Sequence, residues 1–364
     1  MASVKMAMSV SDGSAAAPER AEIRALHVIA GPADGSSMIF AKRESASLGA
    51  TGVKVRQFFL QSRTSPVSLF REFLRFRREI RDFRPEIVHA YYGTVTALFC
   101  ALAVWHPLVI TFYGSDLNPD PAVSRVRSAI SGLLSQLAAL RAAQIICVTS
   151  GLKRRLWWRR ECATVIPGGT DLELFRPQPK EEARAILRWP AAEKIVLFNA
   201  GRSPRIKRLD LAKAAVEAAN KLGCDARLVV LNGGTAPSEV PLYLSAADCL
   251  LLTSDWEGSP FIAKEALSCN LPIVSVDVGD VAERVSCVNP SRIVPRDAVA
   301  LGVAIVEVLS LNCRSNGRVM MGELSEEKLA EKVRRIYERV VPGERSAGVR
   351  NADGFAQKCR VDQV

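Results

Sequence analysis

The sequence is poor in the residues that metal and redox chemistry use. Of 364 residues only three are histidine, His27, His89 and His106, and they lie far apart. No Asp-x-Asp pair occurs to hold a divalent ion against a diphosphate, so no metal and no cofactor is expected. The nine cysteines are odd in number and lack CxxC spacing, which argues against a disulfide or zinc framework and for reduced thiols acting as small core residues. Gly31 and Gly35 do not form GxGxxG, so a dehydrogenase-type dinucleotide site has no support. No apolar run reaches the roughly 18 residues of a membrane span. The longest candidate, 96–110, is broken by His106 and Pro107. No secretory n-region and h-region opens the chain, and a cytoplasmic protein is expected.

What is present is core material and positive charge. At 48% hydrophobic and 24% charged, the length predicts about two globular domains. The net charge of +11 resides chiefly between Arg20 and Arg160, so something acidic is expected to meet the first half.

In chain order, 1–22 reads as a disordered leader. Apolar runs at 23–30, 53–60, 85–90, 108–112 and 144–149 alternate with helical patterns, which is the mark of a doubly wound parallel sheet. The loop 31–37 lies near an acceptor or a phosphate, or is an ordinary strand-to-helix turn. In the helix 69–81, Phe70, Phe73, Leu74, Arg77 and Ile80 are expected to share one side. In the helix 122–142, Val123, Val126, Ile130, Leu133, Leu134, Leu137 and Leu140 form one stripe. The first domain is expected over 23–170 and a linker over 171–190, with a second alternating domain over 191–323. Its strands are 194–200, 227–231, 246–253 and 272–276, and 208–222 is a helix. A terminal helix covers 324–341 and a disordered tail 342–364.

The stretch Glu257 to Glu265, EGSPFIAKE, follows an apolar strand and opens a helix. Ser259 is expected to cap that helix, with Pro260 at its first position. Free amides of the first turn, at the positive end of the helix dipole, suit a diphosphate. Glu265 lies about 7–8 Å along the axis from the start of the helix. One carboxylate then faces a group beside the phosphates and the other a group further along the ligand. Downstream, Asp280 and Glu283 have capping-box spacing.

Four pieces in order, GSDL at 114–117, IPGGTDLELF at 166–175, Gly201-Arg202 with Lys207 five residues on, and EGSPFIAKEAL at 257–267, resemble glycosyltransferase family 4. The resemblance runs from about Ile23 to Val341. VPLYLSAADCLLLTSDWEGSP and NLPIVSVDVGDVAERV look like bacterial enzymes that build capsule, exopolysaccharide or teichuronic-type polymers. It implies an α/β fold of GT-B type, two Rossmann-like doubly wound parallel-sheet domains facing a cleft, with a terminal helix that crosses back. It further implies a retaining glycosyltransferase that moves a hexose-type sugar from a UDP- or GDP-sugar to a glycan or lipid-linked acceptor, without metal.

Carried onto this chain, the resemblance assigns Arg202 and Lys207 to the departing diphosphate, Glu257 to the sugar hydroxyls and Glu265 to the ribose. Gly201, Gly258, Ser259, Pro260, Phe261 and Ile262 supply the donor turn, with Phe261 packing on the nucleotide or serving as core. Gly279 and Glu283 match a loop that lines the sugar pocket, although a capping box accounts for Glu283 without a ligand. Many relatives have His-Gly where this chain has Tyr113-Gly114. Either the backbone does the work of that histidine, or the Tyr113 hydroxyl does, or the donor is held differently. Asp116 is expected to touch the donor sugar, the alternative being a cap on the next turn.

Arginines 71, 75, 77, 78 and 81, with Lys153, Arg154, Arg155, Trp157, Trp158, Arg159 and Arg160, resemble surfaces that dock on anionic lipid. Peripheral membrane contact is therefore expected, the alternative being a solvated basic face with the tryptophans partly packed. Competing readings are a nucleotide-sugar epimerase on the same scaffold and a non-enzymatic basic protein binding nucleic acid or membrane. Aromatics at 6% and the absence of a nucleic-acid-binding motif count against nucleic acid as a partner.

Overall fold

The computed structural model describes residues 22–34, 37–62, 65–119, 123–201 and 203–341. The leader and tail expected at the two ends lie outside the described residues, apart from Glu22. In the first lobe β1 (Arg24–Ala30), β2 (Lys54–Leu60), β3 (Ile87–Tyr91), β4 (Leu108–Phe112), β5 (Gln144–Cys147) and β6 (Ala163–Val165) form a parallel sheet in the order β2-β1-β3-β4-β5-β6. β3 and β4 are buried at every position, as unbroken apolar strands must be when helices cover both faces. Those helices are α1 (Ile39–Gly49), α2 (Pro66–Phe83), α3 (Thr94–Ala103), α4 (Arg125–Arg141) and α5 (Ser150–Arg154).

The second lobe opens with α6 (Lys180–Leu187), and its sheet runs β11-β10-β9-β7-β8, again all parallel. Its elements are β7 (Lys194–Asn199), α7 (Pro204–Lys207), α8 (Leu209–Lys221), β8 (Ala226–Leu231), α9 (Val240–Ala246), β9 (Cys249–Leu252), α10 (Phe261–Ser268), β10 (Ile273–Ser275), α11 (Val281–Val285), β11 (Arg292–Ile293), α12 (Ala298–Ser310) and α13 (Gly317–Met321). Both sheets wind the same way. Strand order reverses between β1 and β3 in one and between β7 and β9 in the other, and the crevice beyond such reversals is where doubly wound sheets bind ligands.

The last helix, α14 (Glu326–Val340), starts at Ser325, whose side chain accepts from Lys328 N. It crosses to the first lobe, where Leu329, Ala330, Ile336 and Tyr337 join Ala25, Leu48, Ile87 and Val109 in one core. There the Tyr337 hydroxyl meets both His27 and His89.

Three sequence expectations change. The segment read as a linker contains α6, which anchors through buried Arg184 to Asp248 at 2.8 Å and to the Ala246 carbonyl at 3.0 Å. The helix expected over 208–222 is present as α8, its N-cap Arg208 in a left-handed backbone (φ +58°) that separates it from the short α7 just upstream. In α2 the core side is Phe76 and Phe83, with Phe73 and Ile80 partly buried, while Phe70 and Leu74 are exposed. In α4 the stripe is inverted: Ser128, Ser135, Gln136, Ala138 and Ala139 are buried, whereas Val126, Ile130, Leu133, Leu137 and Leu140 face outward. The cause is close packing on α3, which small side chains allow and leucines would prevent.

Candidate active site

The site begins at the strand reversal of the second lobe. β7 ends at Asn199, and Gly201 turns the chain with φ +51° while its amide bonds to the Asn199 side chain at 3.0 Å. The single turn of α7 then delivers Lys207. Thr253, just past β9, fixes this turn by donating to the carbonyls of Lys207 and Arg208 at 2.8 and 3.0 Å. Four residues on, Glu257 forms an ion pair with Lys207 and accepts from Ser254 Oγ at 2.8 Å. Both side chains are largely shielded, so their attraction is less screened than on the surface. They line a cavity of about 360 Å³ between the lobes, together with Asn199, Tyr92, Tyr113, Gly114, Trp256 and residues 257–262.

Across the cavity stands the turn after β4. Gly258 abuts it so closely that a Cβ there would overlap the Tyr113 carbonyl, and a Cβ on Gly114 would come 3.5 Å from Gly258 Cα. Gly279, at φ +62°, packs on the same loop, where a Cβ would lie 2.6 Å from the Gly258 carbonyl. Behind the turn Asp116 is fully buried. Its carboxylate accepts from the amides of Gly93 at 3.1 Å, Tyr113 at 3.0 Å and Gly114 at 2.8 Å. Burial pushes its pKa up, and these amides hold it back. Contact with a donor sugar is thereby corrected: Asp116 is a positioning residue that shapes the turn.

The Tyr113 hydroxyl donates to Glu44 Oε2 at 2.5 Å. Of the roles open to Tyr113, the hydroxyl is thus directed at α1, and the backbone of the turn faces the cavity. Burial raises Glu44 to about 7, against the opposing effects of Tyr113 and Lys264. Tyr92 and Thr94 hold positive φ of 86° and 56° on either side of Gly93, conformations that non-glycine residues keep only where surroundings impose them. Here the Thr94 amide is tied to Ser135 Oγ at 2.7 Å and the Tyr92 hydroxyl pairs with Ser115 Oγ at 2.5 Å.

At the start of α10 the expected cap does not form. Pro260 is the N-cap itself, without a side-chain bond. Ser259 donates instead to Asp280 Oδ2 at 2.9 Å and accepts from Lys264 Nζ at 3.1 Å. Asp280 also takes Arg284 Nε at 3.0 Å, and α11 has no side-chain cap. The Asp280–Glu283 capping box is therefore corrected as well, and Glu283 is exposed. Lys264 is wholly buried, bonds the Gly168 carbonyl at 2.7 Å and lies 4.2 Å over the Phe261 ring. Desolvation lowers it to about 8, with Asp280 and Glu44 opposing. Phe261 also stacks on Phe40 of α1 at 5.6 Å, so it joins the two lobes.

Glu265 points from α10 toward α1, 3.9 Å from Arg43. Burial raises it to about 7 while Arg43 and Lys264 pull it down. It is not among the residues lining the cavity. The structure thus groups Lys207, Glu257, Gly258, Ser259, Pro260, Phe261, Ile262, Tyr113 and Gly114 at one cavity. Gly201 and Gly279 shape its edges. Arg202 lies outside the described residues. Sequence reasoning missed Asn199, Trp256, Tyr92, Thr253, Glu44 and Lys264. A buried lysine within EGSPFIAKE was visible as a residue type, but its partners come from three separate segments.

Two facing Rossmann-like sheets with the site at their carboxyl ends make this a GT-B fold. Residues 25–174 match the model of Glycosyltransferase Family 4, and residues 181–311 that of Glycosyl transferases group 1. It is 27% identical over 247 residues to the putative teichuronic acid biosynthesis glycosyltransferase TuaC of Bacillus subtilis, covering 62% of this chain and 61% of that one. The chain thus spans about three fifths of the length of the curated relatives it matches, 61% in two of them. Sucrose-phosphate synthase from Thermosynechococcus elongatus superposes with a TM-score of 0.73 at 20% identity, over 87% of this chain and 99% of that one. Anabaena HepE in complex with UDP-glucose does so with 0.67 at 16% identity, over 87% and 100%. These two likenesses concern the fold.

Proposed function

We infer that the protein is a retaining hexosyltransferase that moves a sugar from a UDP- or GDP-sugar to a glycan or lipid-linked acceptor in cell-surface polysaccharide synthesis. One observation carries the reading: the Lys207–Glu257 pair sits beyond β7 and β9, facing the Tyr113–Gly114 turn of the other lobe across a cavity of about 360 Å³. A diphosphate at the start of α10 meets free backbone amides and the helix dipole. Lys207, with Arg202 by resemblance, meets the charge that develops as the bond from the anomeric carbon to the diphosphate breaks. The acceptor oxygen bonds that carbon on the face being vacated, and its proton passes to a departing phosphate oxygen, so no protein base is assigned. Glu257 orients the sugar hydroxyls and Glu265 the ribose.

The first lobe supplies the acceptor side and, through its excess arginine, contact with an anionic membrane. Arg71, Arg77, Arg78 and Arg81 are exposed on α2. Trp157 is 64% exposed, whereas Trp158 is tied by its indole N–H to the Gln136 carbonyl at 2.7 Å. No helix among the described residues is long and apolar enough to cross a membrane.

The test is acceptor-dependent release of UDP or GDP from nucleotide sugars incubated with purified protein and a membrane extract. Lys207→Ala and Glu265→Ala are expected to abolish transfer while the folded state, read by circular dichroism, is kept. Full transfer by either variant would remove the assignment, and sugar interconversion without acceptor would favour an epimerase.

A further inference from the structure

Beside the donor cavity runs a second and larger one, of about 1410 Å³, between α4 and the segment Arg154–Arg160. We propose that this groove is the acceptor site and that its ligand is an amphiphile, a phosphate-bearing head carried on a hydrocarbon chain. The proposal rests on the glycosyltransferase reading and specifies its acceptor.

Position is the first argument. Trp256 lines both cavities, so the groove and the donor cavity share a wall at the residue next to Glu257. Charge is the second. Arg125, Arg154, Arg155 and Arg160 line the groove and are exposed. No ion pair joins any of them to a carboxylate among the described residues, and the acid in the lining, Asp255, is already engaged by Arg208 at 3.2 Å and Arg296 at 3.5 Å. Arg160 also donates to the Leu156 carbonyl at 2.7 Å, which leaves its charge without a counter-ion, and guanidinium groups without a carboxylate partner around a concave surface suit phosphate oxygens.

The inverted helix is the third argument. Val126, Ile130, Leu133, Leu137 and Leu140 are 41–70% exposed and recur at alternating spacings of four and three, one continuous seam along α4. At 17 residues α4 is about 26 Å long, comparable to a hydrocarbon layer or an extended lipid chain. Trp157 stands exposed at the groove, Leu102 within α3 and Trp105 just past its end are 79% and 90% exposed, and α3 packs against α4. A soluble phosphorylated acceptor would use the arginines and leave this seam without a task. A second copy pairing through the seam would bring Arg125, Arg127 and Arg141 against like charges in either orientation, which costs free energy. An anionic amphiphile satisfies both the seam and the arginines.

The test uses the full chain and three probes: farnesyl diphosphate, inorganic diphosphate and farnesol, each titrated calorimetrically, with UDP and GDP as probes of the donor cavity. Farnesyl diphosphate is expected to bind at least about tenfold more tightly than either half-probe. The pair Arg154→Ala with Arg155→Ala, and separately Leu133→Ser, should each weaken it by about tenfold or more and leave nucleotide affinity unchanged. Lys207→Ala should do the reverse. Equal affinity for inorganic diphosphate would replace the amphiphile with a soluble phosphorylated acceptor. Loss of farnesyl diphosphate in Lys207→Ala but not in the groove variants would place it in the donor cavity and overturn the proposal. A dimer mass in light scattering that Leu133→Ser reduces to a monomer would give the seam to a second copy. Farnesyl diphosphate binding without any nucleotide binding would keep the groove and reject the donor reading.

Discussion

The Tyr337 hydroxyl lies 2.6 Å from His89 Nδ1 and 3.0 Å from His27 Nε2, in a site closed to solvent. The far nitrogens are also satisfied, His89 by Thr111 Oγ1 at 2.7 Å and His27 by Ser45 Oγ at 2.8 Å. One hydroxyl can donate to one ring and accept an N–H from the other, so it closes a chain of bonds through both neutral imidazoles. The contact ties the last helix, which follows the second lobe in sequence, to two central strands of the first.

Tyr337→Phe keeps the ring and removes this joint. Two buried ring nitrogens then lack partners, and leaving such groups unsatisfied costs about 1–3 kcal/mol. Urea unfolding of the variant is expected to show a free energy of unfolding lower by about that amount, read as a lower midpoint with an unchanged slope. An unchanged midpoint would mean that the hydroxyl contributes nothing net.

The same histidines set the pH dependence of stability. Desolvation lowers His27 from an ordinary 6.5 to about 3 and His89 well below its usual range. Between those limits and 6.5 the unfolded chain binds protons that the folded chain refuses, so stability is present above 6.5 and is lost as pH falls. Each such histidine contributes on the order of 1.4 kcal/mol per pH unit. Glu44 and Glu265, raised to about 7, act oppositely: their contribution is present below an ordinary 4.5 and is lost as pH rises through 7. The two pairs offset each other between about 4.5 and 6.5, and a nearly level stability profile is expected there. Glu44→Gln should tilt it, with denaturant midpoints falling on acidification. A variant profile parallel to that of the natural protein would reject the account.

How much of this was readable beforehand depended on how local the cause was. EGSPFIAKE announces a strand, a turn and a helix within nine residues, and the structure puts six of those residues at the interlobe cavity. Asp116 was assigned to the ligand because a carboxylate in a turn at a strand end can face either way. Its three amide partners include Gly93, more than twenty residues upstream. The seam of α4 reads the same whether it faces core or solvent. What settles the direction is the buried set Ser135, Ala138 and Ala139 against α3, small residues with weak periodic weight. The Tyr337 joint links residues about 250 and 310 apart, and no local pattern carries it.

Donor binding should itself depend on pH within a narrow range. In the proposed role of Glu265 toward the ribose, the ionised carboxylate accepts from two hydroxyls more strongly than the acid form does, and burial holds its pKa at about 7. Lys264, which supports Ser259 and the Gly168 carbonyl, loses its charge above about 8. UDP or GDP affinity is therefore expected to rise from pH 6 to about 7 and to fall beyond about 8. Calorimetric titration across this range is the measurement. Glu265→Gln should flatten the acid limb and keep the alkaline one, and an acid limb that survives the substitution would assign it to another group.

The contact between the lobes offers the sharpest single substitution. Gly258 has no room for a Cβ because the Tyr113 carbonyl occupies that position, and backbone cannot rotate away as a long side chain would. Gly258→Ala must separate the loop before Glu265 from the first-lobe turn. Each lobe keeps its own core, so circular dichroism and the urea midpoint should change little. The distance across the cavity, in contrast, should grow by several tenths of an ångström or more. Misplacement on the scale of 1 Å can cost about a hundredfold in rate, and sugar transfer is expected to fall by that order. X-ray scattering should report a slightly larger radius of gyration for the variant. Unaltered transfer with an unaltered radius would show that the lobes close differently during turnover and that the Gly258–Tyr113 contact is not part of the working geometry.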